Sequence, residues 1–129
     1  MVNFPATIAR RLLAVPVGVW RLAFAACLLA VLVLSLVPPS TPMPTTGWDK
    51  TNHLLAFSVM AALGCQAFRS RALRVLLGLL GYGVLIEVLQ SLTPYRFAEW
   101  TDLLADALGL ALGWLLLRIA GWLSSPPSR

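Results

Sequence analysis

The chain reads as an all-α integral membrane protein, a four-transmembrane-helix bundle with N- and C-termini cytoplasmic. Three observations predict this. The 129 residues are 59 % apolar and 12 % charged, against roughly 45 to 50 % and 25 % in soluble domains. Apolar runs long enough to cross a bilayer alternate with short polar or proline-rich turns. The basic residues collect on one side of those runs.

Residues 1–19 hold Pro5, Arg10, Arg11 and Pro16 among apolar residues and read as an interfacial segment. Residues 20–37 are apolar apart from Arg21 and Ser35. Eighteen residues at 1.5 Å each give about 27 Å, enough for a first span. Phe24-Ala25-Ala26-Cys27 has the outline of a lipoprotein cleavage site, but apolar sequence continues for ten residues beyond the cysteine, as an anchor does. Cys27 and Cys65 have no metal-ligand neighbours and read as small hydrophobes in helices rather than a disulfide.

Residues 38–48 form an outer linker in which Pro38, Pro39, Pro42 and Pro44 fix φ and remove backbone donors. Residues 49–123 carry spans two to four, expected at about 49–68, 73–92 and 102–121. Asp49 is the expected N-cap of the second span. Arg69, Arg71 and Arg74 make a basic turn before the third, which stops at Thr93-Pro94. Residues 124–129 are a tail with the sequence Ser-Ser-Pro-Pro-Ser-Arg.

A cytoplasmic N-terminus places Arg10, Arg11, Arg21, Arg69, Arg71, Arg74, Arg118 and Arg129 inside, leaving only Lys50 and Arg96 outside. The pI near 10.3 is therefore an insertion signal. It does not mark a nucleic-acid partner, because the basic residues form no stripe or arm. All five acidic residues, Asp49, Glu87, Glu99, Asp102 and Asp106, fall in the outer half.

Charged side chains inside a span cost about 2.5 to 3.5 kcal/mol at mid-membrane on insertion scales, so each one within reach of the bilayer asks for a partner or a role. His53 lies about 6 Å into span two, Glu87 about 7 Å from the end of span three and Asp106 about 6 Å into span four. Spans two and four run inward and span three outward, so the three reach one layer near the outer surface. Their faces agree as well. Asp102, Asp106, Gly109 and Gly113 share one face, His53, Phe57, Met60 and Gly64 another, and Leu79, Gly83, Glu87 and Gln90 a third. The glycines Gly64, Gly83, Gly109 and Gly113 are the expected helix-packing positions, since they let backbones approach closely.

The pattern Asp49-Lys50-x-x-His53-x-x-x-Phe57, then Glu87-x-x-Gln90 with Pro94 and Arg96, then Asp102 and a glycine-rich final helix resembles the VanZ-like family of small polytopic membrane proteins. The resemblance covers roughly residues 47–115. At Asp106 the family pattern often has asparagine, so this chain adds a carboxylate there. The founding member is an accessory protein in resistance to glycopeptide antibiotics of the teicoplanin type. The resemblance thus implies a multi-pass protein of the bacterial inner membrane, acting in the cell envelope, with a lipid-linked cell-wall precursor or a glycopeptide as its partner beyond the lipid bilayer.

Two function classes follow. In the first, Asp49, Lys50, His53, Glu87, Gln90, Arg96, Asp102 and Asp106 form an outward-facing polar pocket that binds a lipid-like ligand without catalysis, and the Arg96 guanidinium is suited to grip a phosphate or carboxylate. In the second, Glu87 and His53 are acid and base of a membrane-embedded hydrolase or transferase, with Asp106 orienting one of them. As a purely structural group, Glu87 is a buried carboxylate bonded to Gln90, His53 or Arg96 that locks two helices together. No contiguous metal motif is present, so neither a metal nor another cofactor is assigned. A transporter is disfavoured, because no charged residue in the inner half of the bundle marks a path across.

Overall fold

The computed structural model describes residues 14–42 and 45–123, and within them the chain is all helical. The expected interfacial segment up to residue 13 and the 124–129 tail lie outside the described residues. Four helices follow one another, α1 (Val17–Leu36), α2 (Asp49–Ala67), α3 (Ala72–Ser91) and α4 (Trp100–Leu123). α1 begins before the expected residue 20 because Val17, Gly18 and Val19 continue the helix beyond Pro16, whose fixed φ suits the position before a first turn. It ends at Leu36, two residues before Pro38-Pro39.

α1, α3 and α4 are each long and apolar enough to cross a membrane. α2 is 19 residues long, about 28 Å at 1.5 Å per residue, but its opening Asp49-Lys50-Thr51-Asn52-His53 keeps it below the apolar content of the other three. The reason lies in the packing. α2 touches all three others and packs the most extensively of the four, above all on α4, while α1 packs on α2 and α3 and does not reach α4. A helix surrounded by protein need not be apolar all round to be buried, because neighbouring side chains satisfy its polar groups.

The core is Phe57, Met60 and Ala61 of α2, Leu79 and Ile86 of α3 and Leu110 of α4, covered by Phe24, Cys27, Leu28 and Val31 of α1. The tightest seam is α2 against α4. A Cβ at Gly109 would run into the Leu54 carbonyl, and one at Gly113 into the Ser58 carbonyl, so the backbones meet where only glycine fits. Ser58 Oγ closes that seam, its one proton shared between Leu54 O at 2.7 Å and Gly109 O at 3.0 Å. Gly64 and Gly83 instead make room for side chains, those of Phe24 and Val75 at Gly64 and those of Asp106 and Phe57 at Gly83.

The alternating helix directions sort the charges. Arg21, Arg69, Arg71, Arg74 and Arg118 share one end of the bundle, where Arg21 Nε donates to Ala67 O at 3.4 Å and its guanidinium lies 5.2 Å from the Phe68 ring. The acidic residues gather at the other end, with the linker and the 92–99 loop.

Candidate functional site

Asp49 and His53 are four residues apart on α2, and so are Asp102 and Asp106 on α4. Because the α4 glycines let its axis lie against α2, these two faces meet. His53 Nδ1 stands 2.8 Å from Asp106 Oδ1, both buried, and His53 Nε2 stands 3.9 Å from Asp102 Oδ2. A carboxylate acceptor at Nδ1 selects the tautomer with its proton there and leaves Nε2 with a lone pair. Lys50 Nζ donates to Asp102 Oδ1 at 3.0 Å and to Glu99 Oε2 at 2.8 Å, which ties α2 to the start of α4. That ammonium also holds the Glu99 carboxyl below the usual carboxylate range, helped by the Thr101 hydroxyl.

Asp49 is not the helix cap. Trp48 holds the N-cap position without a side-chain bond, Asp49 is the first helical residue, and its Oδ2 accepts from Arg96 NH1 at 3.3 Å. A short carboxylate in the first turn still meets the positive end of the helix dipole. Here it also pins the 92–99 loop to α2.

Glu87 has a different partner from any expected. Its Oε2 accepts the backbone N–H of Glu99 at 2.8 Å, while Oε1 is buried without a hydrogen-bond partner. Gln90, three residues on, donates to Ser35 O of α1 at 3.0 Å, and Tyr95 OH donates to Leu36 O at 2.8 Å. The last carbonyls of a helix have no intrahelical partner, so Gln90 and Tyr95 close the end of α1 and fix it to α3. The bonds made by Tyr95, Ser35 and Glu99 leave no signal in the sequence pattern. Tyr95 resembles any interfacial aromatic, and a backbone N–H or C=O leaves no mark in a side-chain pattern.

Beside this network lies a groove of about 800 Å³ between the end of α1, the linker and the first half of α2. Its walls are apolar along Val31, Leu34, Leu55, Ala56 and Phe57, and its head is polar, with Asp49, Asn52, His53, Gln90 and Arg96. Asn52 shapes that head by donating to Thr45 Oγ1 at 2.8 Å and accepting from Thr46 N at 3.0 Å. Gly47 makes the turn possible with φ of 80°. Lys50, Glu87, Asp102 and Asp106 do not line the groove. The eight expected pocket residues thus divide into four that line the groove, Asp49, His53, Gln90 and Arg96, and four that lie behind it, joined through His53.

Asp49, His53 and Asp102 place three ligand-type atoms within 4.8 Å of one another. Two of these groups already have protein cations, Arg96 on Asp49 and Lys50 on Asp102. The charge that a metal ion would balance is thus met by side chains. What the arrangement offers chemically is an oriented imidazole at a groove that is polar at one end and apolar along its length.

No curated protein and no solved structure matches this chain significantly. A family model described as VanZ/LLP1 matches residues 20–121, which takes in all of α2 and α3 and nearly all of α1 and α4, together with the His53, Glu87, Gln90, Arg96 and Asp102 positions. The chain belongs to the VanZ/LLP1 family.

Proposed function

We propose that the protein is a four-span protein of the bacterial inner membrane, with both termini in the cytoplasm, whose outward-facing groove binds a lipid-like ligand. α2 is then the second span, held in the bilayer by the three helices around it. One observation carries the reading. The groove joins a polar head to an apolar wall on the α1/α2 seam, where Leu34 and Leu55 are each about half exposed. A water-soluble ligand has no use for that wall, whereas an amphiphile in the outer leaflet matches both parts. The charge sorting supports the orientation, since arginines crowd the opposite end. Family membership adds a cell-envelope role in glycopeptide or lipoglycopeptide susceptibility, with a lipid-linked wall precursor as the class of ligand.

The test is antibiotic susceptibility of a deletion strain complemented with wild type, Arg96→Ala or His53→Ala, with membrane abundance measured for each. Both variants should lose complementation at normal abundance. Full complementation by both would end this reading.

A second reading is supported by the His53–Asp106 pair. A buried carboxylate on Nδ1 is how a general base is oriented, and His53 lines the groove, with Asp102 Oδ2 3.9 Å from its Nε2. A hydrolase or transferase built here uses Asp106, not Glu87, as the residue acting through His53, because Glu87 is occupied by the loop amide. Purified protein should then turn over a lipid-linked precursor, with His53→Gln slower by about 10² to 10⁴ and Glu87→Gln still active. No turnover by wild type removes the enzyme option and leaves the binding reading standing.

A further inference from the structure

The polar head of the groove is short of acceptors. Arg96 Nε is buried with no hydrogen-bond partner, while its NH1 holds Asp49 Oδ2 at a long 3.3 Å. Burying an unsatisfied charged donor is costly, so the site is incomplete as it stands. Thr45 Oγ1 accepts from both Asn52 Nδ2 and Gly47 N, which leaves its own O–H to donate. The α2 N-terminus opens beside them without a side-chain cap, and helix N-termini favour anions. Among the described residues the one carboxylate in the groove is Asp49, half exposed and already on Arg96.

From these we infer that the groove takes an amphiphile with a phosphomonoester head, whose phosphate replaces Asp49 on Arg96 while its chain lies along Val31, Leu34 and Leu55. This rests on the lipid-binding reading and adds the headgroup class and the exchange. A phosphate is favoured over a single carboxylate because its three oxygens meet the Arg96 fork and the Thr45 hydroxyl together. Asp49 is a tethered competitor. Held half in water, it releases the guanidinium at little cost, and in the empty groove it keeps that charge partnered. An acyl glycerolipid and an isoprenoid phosphate share this head and differ only in the chain.

The experiment uses the full chain in phosphatidylcholine nanodiscs with a diazirine-bearing phosphatidic acid, a matched diacylglycerol probe, and polyprenyl phosphate or polyprenol as competitors. The phosphatidic acid should label the α1/α2 seam at least tenfold more than the diacylglycerol. Arg96→Gln should remove that preference, Arg96→Lys should restore part of it, and Asp49→Asn should strengthen binding threefold or more. Competition by polyprenyl phosphate but not polyprenol supports the inference with an isoprenoid ligand, and its failure to compete supports it with a glycerolipid. Equal labelling of the seam by both probes would overturn the phosphate assignment while leaving a lipid groove in place. Labelling spread evenly over all four helices would overturn both. Asp49→Asn weakening binding as much as Arg96→Gln would overturn the exchange, because the ion pair would then be needed for the groove itself.

Discussion

Gly109→Ala and Gly113→Ala put a single methyl group where α4 lies on α2. At Gly109 the new Cβ would meet the Leu54 carbonyl and Phe57 Cβ, and at Gly113 the Ser58 carbonyl and Ala61 Cβ. Neither carbonyl can move by a rotamer change, so the helices must part by on the order of 1 Å to restore ordinary contact near 3.5 Å. Overpacking of this kind costs about 1 to 3 kcal/mol. The two sites then differ. Gly109 is one turn from Asp106, so parting the helices there also stretches the 2.8 Å contact to His53 and the 3.0 Å bond from Ser58. Leaving the buried Asp106 unpaired adds about 1 to 3 kcal/mol. Gly78 and Gly81 on α3 provide the comparison, since a Cβ there meets nothing within 4 Å, and Ala should be neutral or stabilising by about 0.5 to 1 kcal/mol. Unfolding in mixed micelles, followed by helicity against denaturing detergent, should order the variants with Gly109→Ala least stable, Gly113→Ala next and Gly78→Ala at or above wild type. A Gly109→Ala protein as stable as Gly78→Ala would mean that the glycine seam does not hold the site together.

Three further expectations follow from the same geometry. If α2 spans, an impermeant maleimide should label Thr45→Cys from outside intact cells and Ser70→Cys only after permeabilisation, on a background lacking Cys27 and Cys65; labelling of both from one side would end the four-span topology. Glu99 is held low by Lys50, so its contribution is present above the ordinary glutamate range near 4.3 and is lost as pH falls through its lower folded value; Glu99→Gln should flatten that part of the acid limb of stability, and an unchanged limb would count against the Lys50–Glu99 link. Tyr95→Phe removes the donor to Leu36 O and should cost about 0.5 to 1.5 kcal/mol, read in the same micelle unfolding, with no loss indicating that water closes the end of α1 as well.

The three faces read from helical spacing are buried faces of α2, α3 and α4, because a period of 3.6 is a property of the backbone and needs no partner to be seen. Two assignments differ. Asp49 read as a cap because short polar residues before an apolar run usually are, yet its carboxylate meets Arg96, 47 positions away. Glu87 read as a partner for Gln90, His53 or Arg96 because these share its face or its depth, yet it accepts the amide of Glu99.

The sequence by itself determined which segments are helices, which stripe of α2, α3 and α4 is turned inward and which end of the bundle is acidic, since these follow from local composition, spacing and the cost of charge in lipid. Only the tertiary structure decided who bonds to whom, that α2 sits at the centre, and that a groove opens on the α1 side while Asp102 and Asp106 close on the other. The reason is distance. A helix face spans roughly 100°, so spacing leaves several side chains as neighbours, whereas a hydrogen bond is chosen within about 3 Å by how closely Gly109 and Gly113 let two backbones lie.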